Sequence, residues 1–448
     1  MKYKSELDKE FAPVILGLNG FLKTADKPVS VMIEDADGYN FSLNLKIGKD
    51  AEQNFRYLER IVKSLLWAVG GCRVYIQSAA RRAQGAVEDL AKRLARTYAP
   101  GGTRAFDADF MQKVYGKPLE ITACKELPKE KRRSIPAGDK TDGCRIGFDA
   151  GGSDRKVSAV ENGKVIFSEE VVWHPKLNAD PQYHFDGIVS ALKTAAAKLP
   201  RVDSIGVSSA GIFINNLTCV ASLFLKVPPE KFYLVRDIYV RAAKEIGKDI
   251  PLNVANDGDV TAIAGGISFK STGVLGIAMG TSEAGGYLNS QGGLNGWLSE
   301  FAFVPCDLNE SAAVDEWSGD KGTGVKYFSQ DAVIKLCPAA GIKLDEKLSP
   351  AEKLKVVQDL MKDGDKRAKE IYRTIGIYLG YTLPFYALFY DTKYALVLGR
   401  VLSGKGGDLI VETASQILKE EFPELKMKIV TPDEHFKRVG QSIAASSL

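Results

Sequence analysis

The run IGFDAGGSDRK, Ile146 to Lys156, constrains the fold more than any other part of the chain. An apolar strand ends in an aspartate, a glycine pair and a hydroxyl residue follow, and a second strand begins at once. Glycines let the backbone come close to an anion, and its N–H groups can then face the oxygens of a polyphosphate. An aspartate at the strand end can hold the accompanying magnesium ion, usually through water. The chain continues as the hairpin SAVENGKVIFSEEV, so residues 145–149, 156–160 and 165–171 read as a three-strand meander. Strands of this kind alternating with helices define a mixed α/β protein with sheet-centred lobes.

The 448 residues are enough for about two to four domains. A hydrophobic content of 45% against 26% charged residues suits a globular chain with a sizeable core. The net charge of +4 is too mild for a nucleic-acid binder, which concentrates basic residues on one face. Lys129, Lys131, Arg132 and Arg133 form the one basic cluster and read as a solvated linker. No apolar run reaches the ~18 residues of a membrane span. The start, MKYKSELDKEF, has no apolar stretch behind it, so neither a signal peptide nor a membrane partner is expected and the location is taken as cytoplasmic. The six cysteines are scattered with no CxxC spacing, as reduced thiols are. His174, His184 and His435 cluster with nothing, which argues against a histidine metal site or a catalytic triad.

The clearest boundary is residues 126–143, ELPKEKRRSIPAGDKTDG, with the prolines, glycines and charges of a linker. Residues 1–125 before it form a small α/β domain, with strands at 29–33, 40–45 and 73–77 and amphipathic helices at 52–69 and 86–98. Beyond the linker, residues 144–266 and 267–448 divide as two lobes. The first carries the meander, helices at 185–199 and 231–246, strands at 204–208 and 252–255, and a helix at 260–269. The second carries a strand pair at 273–278 and 284–288, helices at 332–336, 350–361 and 365–390, a strand at 394–398, a helix at 409–421 and an edge strand at 426–430. Pro384 is expected to kink or end the helix in which it falls.

Three further glycine-rich or acidic elements follow the first in order. LNVANDGDVTAIAGG delivers Asn256 and Asp257 to the C-terminal end of a strand, where open α/β folds bind ligands. A carboxylate there can accept a proton from an attacking hydroxyl; an Asn-Asp-Gly helix cap is the alternative. IAMGTSEAGGYL offers Gly280 and Thr281 as a second phosphate-facing turn, or as a plain glycine hairpin. ALVLGRVLSGKGGDLI brings Gly399, Ser403 and Gly404 before a helix, as a shelf for a nucleoside or as an ordinary strand-to-helix connection. GGLNGWLSEFAF places Glu300 after a glycine-rich loop, where a carboxylate can accept hydrogen bonds from hydroxyls. Trp297 can stack on a sugar face or anchor the loop.

Taken in order, these elements resemble the actin-like ATPase superfamily, and over residues 145–448 the chain is similar to the ROK family of sugar kinases and sugar-responsive repressors. The resemblance implies two actin-like ATPase (ribonuclease H-like) lobes, here with an added amino-terminal α/β domain. It implies an ATP-dependent kinase acting on a hydroxyl of a sugar or sugar-like molecule, with Asp257 as general base. Asp149 would hold Mg2+ through water. Gly151, Gly152, Ser153, Lys156, Gly280, Thr281, Gly399, Ser403 and Gly404 would line ATP. Asn256, Glu300, Ser209 and Asn216 would bind the acceptor. Family members are commonly dimers, so a homodimer is implied. The family's GExGH segment appears here as SEFAF, with Phe303 in the place of a histidine that touches sugar and helps hold zinc. No zinc is therefore expected, and Phe303 points to a different or less hydroxylated acceptor. A sensor or regulator that kept the fold and lost turnover is the alternative function.

Overall fold

The computed structural model describes residues 1–138 and 140–448, and of Arg81 and residues 434–439 only the backbone. Asp139 in the linker and the side chain of His435 thus lie outside the described residues. The chain divides into two compact units. The first comprises Met1–Arg133, Ile277–Gly285 and Trp297–Thr431; the second comprises Ser134–Gly276, Gly286–Gly296 and Pro432–Leu448.

In the second unit five strands lie in the order Leu252–Asn256, Ser204–Ser209, Cys144–Ala150, Asp154–Glu161, Lys164–Val172. The first three run parallel, and the last three form the antiparallel meander. Cys144–Ala150 is buried along most of its length, as a central strand covered on both faces must be. Lys164–Val172 closes one edge, and its Lys164, Glu169 and Glu170 suit an edge that must not pair further. Gly147 and Gly206 are register partners on neighbouring strands. A Cβ on Gly147 would meet the Ser442 carbonyl oxygen at 1.7 Å, and one on Gly206 the Ala445 carbonyl oxygen at 1.8 Å. The part of Glu434–Ala445 that follows the kink at Gly440 therefore rests directly on the sheet backbone. The core joins Ile146, Phe148, Ile205 and Val207 of the strands to Ile188, Leu192 and Tyr239 of the helices. The single helix expected over 231–246 is two, Tyr233–Arg236 and Ile238–Lys244. Asp237 lies between them with the non-helical angles φ −108° and ψ 20°, and its carboxylate pairs with Arg241 Nε at 2.9 Å, one turn into the second helix.

In the first unit the amino-terminal strands lie in the order Asn40–Ile47, Lys27–Glu34, Arg73–Gln77, Glu120–Cys124, the last pair parallel and the others antiparallel. The helix Ala51–Ala68 starts at Asp50, whose carboxylate accepts the N–H groups of Glu52 and Gln53. Nearly all its second half is buried, charged residues included. The basic cluster lies along the first hairpin: Lys131 and Arg133 stand over the Tyr39 ring at 4.2 and 4.3 Å, and Arg133 pairs with Asp37 at 3.1 Å. Residues 1–125 cluster with residues 297–431. Ser5 Oγ and Thr374 Oγ1 lie 3.0 Å apart, Asp307 accepts the Ala12 N–H at 2.9 Å, and Arg60 donates to Asp320 at 2.9 Å. The helix Lys366–Tyr386 packs on Lys405–Glu421, with Pro384 inside the first of these, two residues from its end, so the missing N–H falls in the final turn. Strands Tyr394–Leu398 and Lys428–Val430 pair in parallel. No described helix is long and apolar enough to cross a membrane.

Candidate active site

Three parallel strands of the second unit end side by side. Asp149 is the register partner of Ser208, and Ser209 that of both Ala150 and Asn256, so Asp149, Ser209, Asn256 and Asp257 gather at the strand C-termini. Burial pushes the Asp149 carboxyl up to about 6; Asp257 adds to the rise, while Ser208 and Lys156 oppose it. Burial also raises Asp257, against the Gly258 amide and the charge of Lys176. Burial takes Asp259 up to about 7, although it accepts the Tyr287 N–H at 2.9 Å. Several raised carboxyls at strand C-termini mark a candidate functional site.

The turn after Asp149 is fixed by its neighbours. Trp173 Nε1 donates to the Gly151 carbonyl at 2.7 Å, Trp173 N–H donates to the Ser153 carbonyl at 3.1 Å, and Ser153 Oγ donates to Asp154 at 3.0 Å. Lys156 is the register partner of Asp149 and stands 3.6 Å from Asp154 and 3.7 Å from Glu170. A Cβ on Gly152 would meet the Lys176 side chain at 2.7 Å, its Nζ at 3.0 Å. Lys176 thus lies against the turn and within electrostatic reach of Asp257. Nothing in the sequence marks it: it is one exposed lysine in WHPKLN, brought here by the three-residue turn Pro175–Leu177.

The residues expected to bind an acceptor are held by the protein itself. Asn256 caps the helix Asp257–Phe269, accepting the Gly258 N–H at 2.7 Å and donating to the Gly211 carbonyl at 2.7 Å. Asn216 donates to the Leu252 carbonyl at 2.8 Å and accepts the Val254 N–H at 2.9 Å, so it completes the pairing of the sheet edge. Ser209 is fully buried and accepts from the Tyr239 hydroxyl at 2.8 Å.

The first unit holds the other motifs. Gly280 accepts the Gln330 N–H at 2.9 Å, and Arg400 Nη2 donates to Thr281 Oγ1 at 2.7 Å. Gly399 has φ 109°, and a Cβ there would meet the Met279 carbonyl oxygen at 2.3 Å, so glycine alone fits. Ser403 and Gly404 follow, and Gly404 heads the helix Lys405–Glu421. Arg400, which no motif marks, ties the Thr281 turn to this shelf. Glu300 donates its backbone N–H to the Trp67 carbonyl at 2.9 Å. Trp297 packs edge-on against Phe41 at 5.1 Å and Tyr390 at 5.4 Å, in the manner of a loop anchor. Phe303 packs on Trp67, ring centres 4.2 Å apart, and on Phe106 at 5.8 Å.

Among the described residues no three His, Cys, Asp or Glu side chains are grouped to ligate a metal directly. A magnesium ion is commonly held by one or two carboxylates, water and phosphate oxygens, and the half-buried oxygen donor Asp149 beside an open glycine turn fits that role.

No protein-family model and no curated sequence matches the chain. Solved structures do. A ROK hexokinase from Thermus thermophilus aligns with a TM-score of 0.53 and 15% identity, over 68% of this chain and 96% of that one. A ROK-family transcriptional regulator, a homologue of the E. coli MLC protein, aligns with a TM-score of 0.52 and 15% identity, over 81% of this chain and 88% of that one. The chain therefore has a ROK-like α/β fold.

Proposed function

We propose that the protein is an ATP-dependent kinase that phosphorylates a hydroxyl of a sugar or sugar-like molecule. The observation that carries this reading is the placement of Asp257. It stands at the end of a parallel strand and the head of a helix, with a raised pKa, next to a glycine turn that begins at a second carboxylate, Asp149. Asp257 takes the proton of the acceptor hydroxyl as that oxygen attacks. The N–H groups of the 151–153 turn would face the phosphate oxygens of a bound nucleotide, Asp149 would hold magnesium through water, and Lys176 supplies positive charge beside the turn. Bound Mg-ATP supplies the phosphoryl group. Thr281 and the 399–404 shelf are assigned to the nucleotide, and Glu300 to acceptor hydroxyls. Asn216 and Ser209, spent on internal bonds, are assigned to shaping the strand ends.

The test is ADP release from Mg-ATP across hexoses, amino sugars, polyols and nucleosides, with Asp257→Asn in parallel. Turnover with one acceptor, cut at least ~10²-fold in the variant, is expected of a general base. Turnover that survives the substitution removes Asp257 from the mechanism. One observation favours a second reading, a sugar-responsive regulator without turnover: the regulator structure matches a larger share of this chain than the hexokinase does, 81% against 68%. Under that reading the panel stays silent while a sugar still raises the melting temperature.

A further inference from the structure

The last carbonyl groups of a helix have no partner within it and must find one outside. At the end of Ala51–Ala68 three successive carbonyls are taken by three successive amides of one loop. Leu298 N–H donates to Val69 at 3.1 Å, Ser299 N–H to Ala68 at 3.0 Å and Glu300 N–H to Trp67 at 2.9 Å. The Tyr390 hydroxyl reinforces the join, 2.9 Å from the Ala68 carbonyl and 3.2 Å from Ser299 Oγ. The loop needs such support. Ser299 is buried and has φ 51°, a left-handed conformation that costs a non-glycine residue free energy and persists only where its surroundings over-determine it. Below the join the Trp67 indole donates to Asp107 at 2.7 Å; Asp107 accepts from the fully buried Lys63 at 2.9 Å, and Lys63 lies 3.1 Å from Asp320. The end of the helix is thereby fixed against translation by a paired ionic network as well as by packing.

We infer that the C-terminal end of the helix Ala51–Ala68, with Tyr390, is a clamp that sets the position of Glu300. The amino-terminal segment is then a specificity-determining part of the acceptor subsite, with Trp67 and Tyr390 as positioning residues. This rests on the reading that Glu300 contacts the acceptor. Three consecutive backbone bonds fix both the direction and the register of the loop, so Glu300 cannot move along the chain without breaking all of them. A segment that supplies the anchor in this way tunes which hydroxyl Glu300 meets without touching the acceptor itself.

The experiment uses the full chain. Tyr390→Phe removes the hydroxyl and keeps the ring; Ser299→Ala removes the other partner. Amide exchange is followed for residues 298–300, with melting temperature as the check that each variant is folded. The clamp predicts protected amides in the parent and exchange faster by about fivefold or more in each variant, the scale of one lost hydrogen bond. With the acceptor found in the ADP-release panel, KM for that acceptor rises severalfold in both variants while KM for ATP stays put, a split that general loosening of the fold would not give. Unchanged exchange in a folded variant overturns the clamp. Faster exchange with an unchanged acceptor KM overturns its role in positioning. If the parent turns over nothing in the panel, the kinase reading falls on that result alone, and the exchange rates still decide whether the helix end holds the loop.

Discussion

The Trp67 and Phe303 rings lie 4.2 Å apart, centre to centre, inclined by 31°. Phe303 stands where the resemblance places a histidine, and its partner comes from a part of the chain more than two hundred residues earlier. An aromatic pair of this kind is worth about 0.5–1.5 kcal/mol beyond the area it buries. A double-mutant cycle with Trp67→Phe and Phe303→Leu, read by denaturant unfolding, should return a coupling of ~1 kcal/mol. Strict additivity would mean that Phe303 is held by its own loop and not by the amino-terminal helix.

Lys176 presses on the glycine turn and lowers the pKa of Asp257. Replacing it with methionine removes that charge, so the Asp257 pKa rises. A base is active only when deprotonated, and the acid limb of kcat/KM therefore moves to higher pH. Since Lys176 also faces the proposed phosphate turn, KM for ATP should rise as well. An acid limb that stays in place would show that Lys176 points elsewhere in solution.

Glu283 is buried, its Oε2 has no hydrogen-bond partner among the described residues, and burial pushes its carboxyl up to about 8 against the pull of Tyr386. In the unfolded chain a glutamate titrates near 4.5. Between those values the folded protein keeps a proton that the unfolded chain has lost, so stability falls as pH rises from about 4.5 to about 8 and levels off above. The urea midpoint should drop across that window in the parent and drop less in Glu283→Gln. Equal slopes for both proteins would place the charged form of Glu283 in the fold.

Asn216 sits at φ 64° and bonds two backbone groups of the edge strand Leu252–Asn256. Asn216→Ala leaves that carbonyl and amide unpaired and strains the backbone, so a loss of ~2 kcal/mol in unfolding free energy is expected. Acceptor KM in the surviving folded protein should change little. A large KM effect at undiminished stability would return Asn216 to the substrate-binding residues.

How far the sequence could be read follows from where each signal lies. The meander is local: its apolar runs, its charged edge strand and its aspartate–glycine turn all fall within residues 144–172, and each is visible as a pattern. Asp257 is visible for the same reason, since strand, turn and helix are contiguous. The docking of the amino-terminal segment on residues 297–431 is not local. Arg60 and Lys63 look like the solvent face of an amphipathic helix, yet both are buried, because Asp107 and Asp320 supply the opposite charges from distant positions. Periodicity shows which residues are polar and is silent on whether a partner arrives. The helices Val14–Thr24 and Ala105–Tyr115 carry no clear periodic signal, because the first holds two glycines and the second follows a glycine pair and interleaves aspartates with its aromatic residues. Lys176 and Arg400 act through proximity alone, and no spacing announces them.

Neither compact unit is a continuous stretch of chain: the path changes unit after Arg133, Gly276, Gly285, Gly296 and Thr431. No cut at a single point can release one unit intact, and no contiguous piece of the gene encodes either. Any single truncation that removes the whole of one unit therefore takes part of the other with it.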